Sequence, residues 1–406
     1  MIITELQQLY ATHPNVEGMC KLLKDNSVRH LYCGGLCASA ASLFSSVLVQ
    51  RAECPFVFIL GDLEEAGYFY HDLTQILGTG QVLFFPSSFR RAIKYGQKDA
   101  ANEILRTEVL SRLQKGEEGF CVVTYPDALA EKVVSRKELG DKTLKLHAGE
   151  KVDMDFVTEV LRSYGFEYVD YVYEPGQYAV RGSIIDVFSF SSEFPFRIDF
   201  FGDEVESIRT FEVESQLSKE KKEEIVIVPD LSRSLEQGGN GGMVSFLDFL
   251  RPDTLLAMRD FLWLRERIQV VHDESLTAQA IAACEAEENG AISLEGKLID
   301  GGEFTLRALD FRRMEFGTKP TGTPDATVAF STVAQPIFHK NFDLVAESFR
   351  DYLSRNYTLY ICSDSLKQTD RIRAIFEDRG DNISFTPVER TLHEGFADDT
   401  LRLCIF

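Results

Sequence analysis

Short runs of consecutive apolar residues alternate with longer amphipathic stretches over the first 125 positions. Cys54–Leu60 (CPFVFIL), Gln81–Pro86 (QVLFFP) and Gly119–Tyr125 (GFCVVTY) have the continuous apolar character of buried parallel strands. Helix patterns lie between them: Ile2–Leu9, Ala38–Val49, a stretch ending at Leu77, and the charged Lys98–Lys115. Asp62 is placed to cap the third of these, with Glu64 and Glu65 in its first turn. Strands separated by helices of this length predict a parallel sheet with helices on its faces.

The pattern then changes. His147–Val172 reads as an amphipathic helix leading into a strand, and Pro175-Gly176 as a turn. Gln177–Phe188 (QYAVRGSIIDVF) reads as one strand with an internal glycine, Gly182, which marks a bulge or a close backbone approach. Period-two alternation along a single strand puts Ala179, Arg181, Ser183, Ile185 and Val187 on one face. Tyr178, Val180, Ile184 and Phe188 then form the core face. Phe196–Phe211 reads as two strands joined at Gly202-Asp203. This is a small, mainly antiparallel module.

Glu223–Pro229 (EEIVIVP) and Ser245–Val271 return to strand and helix patterns, and Gly317–Ala326 is a Gly/Pro/Thr-rich linker. Phe342–Gly380 begins another helix–strand–helix unit. The expected fold class is α/β. Residues 1–125 and 214–317 make two parts of one parallel-sheet domain, 126–213 an inserted β module, 318–330 a linker, and 331–406 a further α/β unit. The final LRLCIF is an uncapped apolar strand pattern, which predicts that the natural polypeptide runs on.

Charge narrows the function classes. The 406 residues carry 43 Lys and Arg against 64 Asp and Glu, a net charge of −21. Gripping a nucleic acid takes clustered cations, and no basic run here exceeds two residues, so a protein partner is favoured over DNA or RNA. No apolar run is long enough to span a membrane, and the N-terminus lacks a secretory pattern. The eight cysteines include no CxxC pair, and the seven histidines show no metal-binding spacing. A reduced, cytoplasmic, metal-free chain is the expectation. Trp263 sits in a packing helix pattern, and Lys219–Glu224 is a solvated charge run.

Leu31–Leu48 (LYCGGLCASAASLFSSVL) has the strand, Gly-rich turn and helix order of a phosphate-binding loop. Gly34 and Gly35 are in place. The lysine position is read on Cys37 and the magnesium-ligating hydroxyl position on Ala38, with Ser39 one residue on. No Asp-Glu pair ends an apolar strand; Asp127, after a proline, is all that Val122–Glu131 offers near its strand end. A loop without these groups cannot offset triphosphate charge, so no catalytic residue is assigned and the turn is read as structural.

Pro175–Phe188 (PGQYAVRGSIIDVF), Arg197–Arg209 (RIDFFGDEVESIR) and F-x-x-x-S-Q at Phe211–Gln216 resemble a module shared by UvrB and the bacterial transcription-repair coupling factors. UvrB keeps a working phosphate loop; the degenerate one here is similar to that of the coupling factors' N-terminal UvrB-like region. The resemblance implies a degenerate helicase-like (P-loop NTPase-like) sheet. It also implies recruitment of UvrA through Arg181, with Ala179, Gly182, Ser183 and Ile185 around it. RNA polymerase binding, double-stranded DNA translocation, and the ATP and magnesium that drive it would lie in later domains, leaving this region without a cofactor. A second arginine is implied in the preceding strand, but Tyr164–Asp170 has none, and Arg162 is the nearest. Arg181 could instead pair with Asp186 or Glu174 on the surface. The alternative function, a nucleotide-binding helicase or excision-nuclease subunit contacting DNA directly, meets the missing lysine and the negative charge.

Overall fold

The computed structural model describes residues 1–88, 100–231, 242–275, 296–339 and 341–406. The apolar runs become the strands His30–Gly34 (β1), Phe56–Ile59 (β2), Val82–Phe85 (β3) and Cys121–Thr124 (β4). Around them lie the helices Ile3–Tyr10 (α1), Pro14–Lys24 (α2), Ala40–Arg51 (α3), Leu63–Leu77 (α4) and Ala100–Lys115 (α5). The expected cap of α4 is present: Asp62 Oδ1 accepts from the Glu65 amide at 2.9 Å. Pro126–Ala130 (α6), Val133–Val134 (β5) and Arg136–Asp141 (α7) follow.

A separate β unit comes next, built from Leu144–His147 (β6), Met154–Ser163 (α8), Glu167–Tyr168 (β7), Gln177–Arg181 (β8), Ile184–Val187 (β9), Phe196–Phe201 (β10), Glu204–Phe211 (β11), Ser218–Lys222 (β12) and Glu224–Ile227 (β13). Strands β7 to β12 form one six-stranded sheet in chain order, antiparallel except for the short β7–β8 pair. Its inner face buries Tyr178, Ile185, Val187, Ile198, Val205 and Ile208 against Val157 and Leu161 of α8.

The chain returns through Met243–Val244 (β14, paired with β5), Leu255–Met258 (β15), Phe261–Ser275 (α9), Gly301–Ala308 (α10), Arg312–Glu315 (β16) and Ala326–Ala329 (β17). The large sheet has seven parallel strands in the order β17-β1-β16-β15-β2-β4-β3. The third unit comprises Thr332–Ala334 (β18), Phe342–Ser354 (α11), Thr358–Ser363 (β19), Leu366–Asp378 (α12), Thr386–Glu389 (β20), Phe396–Asp398 (β21) and Leu403–Ile405 (β22). Its sheet runs β18-β21-β22-β19-β20, so the apolar end of the sequence is an inner strand whose Leu403, Cys404 and Ile405 are buried. Among the described residues no helix is long and apolar enough to cross a membrane.

Segment limits differ from those read along the chain. Ala128, Leu129 and Ala130 of α6 pack into the core of the large sheet, outside the β module. Glu224–Ile227 pairs with β6 and buries Ile225 and Ile227 in the module core, although its pattern suggested a return to the α/β sheet. The second half of the expected 318–330 linker is β17, which extends the large sheet by pairing Leu31 with Ala326 and Gly34 with Ala329.

Two histidines tie these cores to pH. His13 is the N-cap of α2, its Nδ1 accepting from the Asn15 amide at 3.1 Å, and burial lowers its pKa against the opposing pull of Asp398. Burial likewise lowers that of His30, with Arg313 adding to the shift and Glu315 opposing it. A lowered histidine pKa means that the unfolded chain takes up protons first. The stability these sites contribute is therefore complete above about pH 6.5 and is lost as pH falls below it. Thermal melts should show a lower Tm at about pH 5.5 than at about pH 7.5. His13→Asn, which keeps a capping side chain, should flatten that fall. Equal slopes for parent and variant would remove His13 from the explanation.

Candidate partner-binding face

Gln177–Phe188 is not one strand. Arg181 pairs with Ile184 across a two-residue turn, and Val180 pairs with Ile185. Gly182, at φ +62°, has the positive φ that the first central residue of a II′-type hairpin turn takes. Side-chain alternation reverses through such a turn. Tyr178, Val180, Ile185 and Val187 therefore share the inner face, and Ala179, Arg181, Ile184 and Asp186 the outer one. Ile185, expected beside Arg181, is fully buried on the opposite side, and Ile184 takes the outer position expected of it. Ala179 is on the outer face but covered, in a small cluster with Val172, Phe188 and Phe211. Of the five residues expected to meet a partner, Gly182 and Ser183 are exposed at the turn and Arg181 is part-exposed.

Gly182 thus matters for the turn itself. A side chain at this left-handed φ costs about 1–2 kcal/mol, with no contact needed to explain it, because no atom lies within 4 Å of the added Cβ. Gly182→Ala should lower the unfolding free energy by that amount, seen as a lower denaturant midpoint at an unchanged slope; an unchanged midpoint would show that the turn relaxes freely.

Arg181 is held in a charge network that the strand pattern alone did not reveal. Its guanidinium donates to Asp186 Oδ2, and its side chain remains 35 % exposed. Asp186 is fully buried and is also gripped by Arg197, with Nε to Oδ1 at 2.7 Å and Nη2 to Oδ2 at 2.9 Å. Arg197 in turn donates to the Gln216 carbonyl at 3.1 Å and lies 4.5 Å from the Phe211 ring centroid. The Gln216 side chain reaches the carbonyls of Val172 and Val213. That holds the segment carrying Tyr171, whose half-exposed ring lies 5.0 Å from the Arg181 guanidinium carbon. The pairing of Arg181 with Asp186 is therefore present, but with a buried carboxylate and not on the surface, and the arginine lies beside an exposed aromatic.

Register continues the pattern across the sheet. Asp186, Arg197, Arg209 and Lys221 are successive cross-strand neighbours, and Arg209 pairs with Asp199 at 2.6 Å. Arg181, Arg197, Arg209 and Lys221 are thus interleaved with Asp186 and Asp199 on the outer face, which also carries Glu167 and Glu204. Arg162 donates to the Tyr178 hydroxyl at 3.0 Å, and Tyr178 belongs to the inner face, so the structure does not bring Arg162 to Arg181.

The Gly34-Gly35 turn, with its order of strand, turn and helix, lies elsewhere, at the end of β1. Helix α3 opens at Ala40. Counting G-x-x-x-x-G-K-[ST] from Gly34 places the second glycine on Ser39, the lysine on Ala40 and the hydroxyl on Ala41, not on Cys37 and Ala38. Both alanines are buried, so the missing groups are missing at the corrected positions too. Asp62, Glu64, Glu65, Asp72 and Glu394 line the adjoining cleft; Arg259 there is paired with Glu65. Asp72 is buried, which raises its pKa, and it accepts from the His393 amide at 2.7 Å. A cleft of this composition repels a triphosphate. Asp127 lies 3.3 Å from Arg267 in an ion pair.

Residues 144–232 match the family model described as UvrB interaction domain, which coincides with the β module as folded, from β6 through β13. The chain is 29 % identical over 198 residues to the transcription-repair-coupling factor of Escherichia coli (strain K12), covering 48 % of this chain and 17 % of that protein. With that of Bacillus subtilis (strain 168) it shares 28 % identity over 228 residues, 54 % of this chain and 19 % of the relative. The match to the Staphylococcus aureus (strain bovine RF122 / ET3-1) protein of the same name is longer, 21 % identical over 427 residues, with 89 % of this chain and 35 % of the relative. The chain therefore spans between about a sixth and about a third of the length of these relatives. Signature residues, module limits and the length of the last match agree: this chain is similar to the transcription-repair-coupling factors over up to 89 % of its length, and its β module matches the UvrB interaction domain.

Proposed function

We propose that this chain recruits the excision-repair protein UvrA, with residues 144–228 as the docking module and Arg181 as its anchor. The observation that carries the reading is the coincidence of the UvrB interaction domain with the folded unit whose outer face presents Arg181 beside Tyr171. Arginine next to an exposed aromatic is the composition of interface hot spots. The part-exposed Arg181 guanidinium suits a partner carboxylate.

In this reading the chain is a non-catalytic adaptor. It works without ATP or magnesium, because Ala40 and Ala41 stand at the lysine and hydroxyl positions and the adjoining cleft is acidic. RNA polymerase, double-stranded DNA and ATP-driven translocation are assigned to parts of the polypeptide beyond this region, and the chain works in the cytoplasm, where stalled polymerase is found. The net charge of −21 supports a protein partner over direct contact with DNA. The test is retention of purified UvrA by the immobilised chain, with MgATP added and omitted. Retention that weakens with salt is expected; a folded chain that retains no UvrA overturns the proposal.

A further inference from the structure

The Gly34–Ser39 loop has its own occupant. The Phe330 amide donates to the Gly34 carbonyl at 2.8 Å, and the Thr332 hydroxyl donates to the Gly35 carbonyl at 2.6 Å. The same hydroxyl oxygen accepts from the Cys37 amide at 3.0 Å. One turn further, the Ser39 amide donates to the Glu394 carbonyl at 3.3 Å, and the Glu394 amide to the Ser39 hydroxyl at 3.0 Å. The amides of Cys37 and Ser39, of the kind such a loop turns toward phosphate, are thus satisfied by the chain itself.

The fit is close. Gly35 has φ +84°, and a Cβ there would lie 2.0 Å from the Phe330 carbonyl oxygen. The Phe330 ring is buried between Phe44 and His13, with centroids 4.7 and 5.1 Å away. Ala38 has φ +49°, a conformation that a non-glycine residue keeps only where its surroundings hold it. Around this centre the third unit adds further ties. The Tyr10 hydroxyl donates to Asp398 at 3.0 Å, and His393 stacks on Tyr68 with centroids 3.4 Å apart.

We propose that the loop Gly34–Ser39 now serves as an interdomain socket: Phe330–Thr332 and His393–Glu394 fill it and fix the third α/β unit to the large sheet. A nucleotide would need the Cys37 and Ser39 amides that the strap uses, so the two occupants exclude one another. Units that would part and close around a ligand are held in one arrangement instead. The socket stands independently of UvrA recruitment, since it involves none of the module's residues.

Hydrogen exchange on the full chain tests it. Thr332→Val keeps the shape of the strap and removes every hydroxyl bond it makes to the loop, those with the Gly35 carbonyl, the Cys37 amide and the Cys37 thiol. It should speed exchange at the Cys37 amide and through Ala326–Ala334 by roughly tenfold or more. Exchange in β8–β11 should stay at the parental rate. Gly35→Ala should do the same more severely. Parental exchange in Thr332→Val overturns the proposal even if Gly35→Ala fails to fold. So does protection of Gly34–Ala41 by millimolar MgATP in the parent, because that would make the loop a nucleotide site still.

Discussion

Asp186→Ala is expected to destabilise the β module by about 3 kcal/mol. Asp186 is fully buried, and its two oxygens serve Arg197 in a bidentate pair and Arg181 in a third contact. Removing the shared anion leaves two guanidinium groups facing each other with no countercharge between them. Breaking a buried ion pair from one side costs about 3–5 kcal/mol. The lower end applies here, because Arg181 and Arg197 keep 35 % and 16 % of their side-chain surface and can turn toward water. Arg197 also retains the Gln216 carbonyl. Denaturant unfolding of the full chain, read from exchange in β8–β11, measures the effect. A loss below about 1 kcal/mol would mean that the network behaves as an ordinary surface cluster.

Arg181→Ala is expected to do the reverse: to leave the fold almost intact and to weaken UvrA binding by roughly tenfold or more, about 1.4 kcal/mol or above. The fold is spared because Arg197 alone still holds both oxygens of Asp186. Losing one part-exposed ion pair costs less than about 1 kcal/mol. Binding is not spared, since the guanidinium that is preorganised beside the Tyr171 ring is removed. Affinity of the chain for UvrA by calorimetry, with a melt of each protein, separates the two roles. Parental affinity in the variant would remove Arg181 from the interface, and a sharp drop in Tm would make it a structural residue.

The two variants also distinguish what could be read along the chain from what could not. Arg181 stood out as an arginine among apolar strand residues, and Asp186 as a possible surface partner, but the burial of Asp186 did not show, because a lone aspartate in a strand has no local mark of it. The hairpin was legible in principle: Gly182-Ser183 between two apolar runs is a turn of the Gly-first kind. Reading it as a bulge preserved one alternation where the chain has two, and that exchanged Ile184 and Ile185 between faces. A single reversal of direction moves every side chain beyond it.

Sequence by itself determined the parallel strands of the first unit, the cap at Asp62, the hairpin at Gly202 and the absence of a phosphate-loop lysine. Each of these depends on neighbours within a few positions: an apolar run, a capping oxygen, a turn glycine, a missing cation. Tertiary structure alone decided that Glu224–Ile227 closes the module by pairing with β6, that Ala326–Ala329 joins the large sheet beside β1, and that Thr332 and Glu394 fill the Gly34–Ser39 loop. These pairings join residues far apart in the chain, where the free energy comes from matching backbone donors and acceptors and from burying shared surface. A short apolar strand carries no record of which edge it will meet.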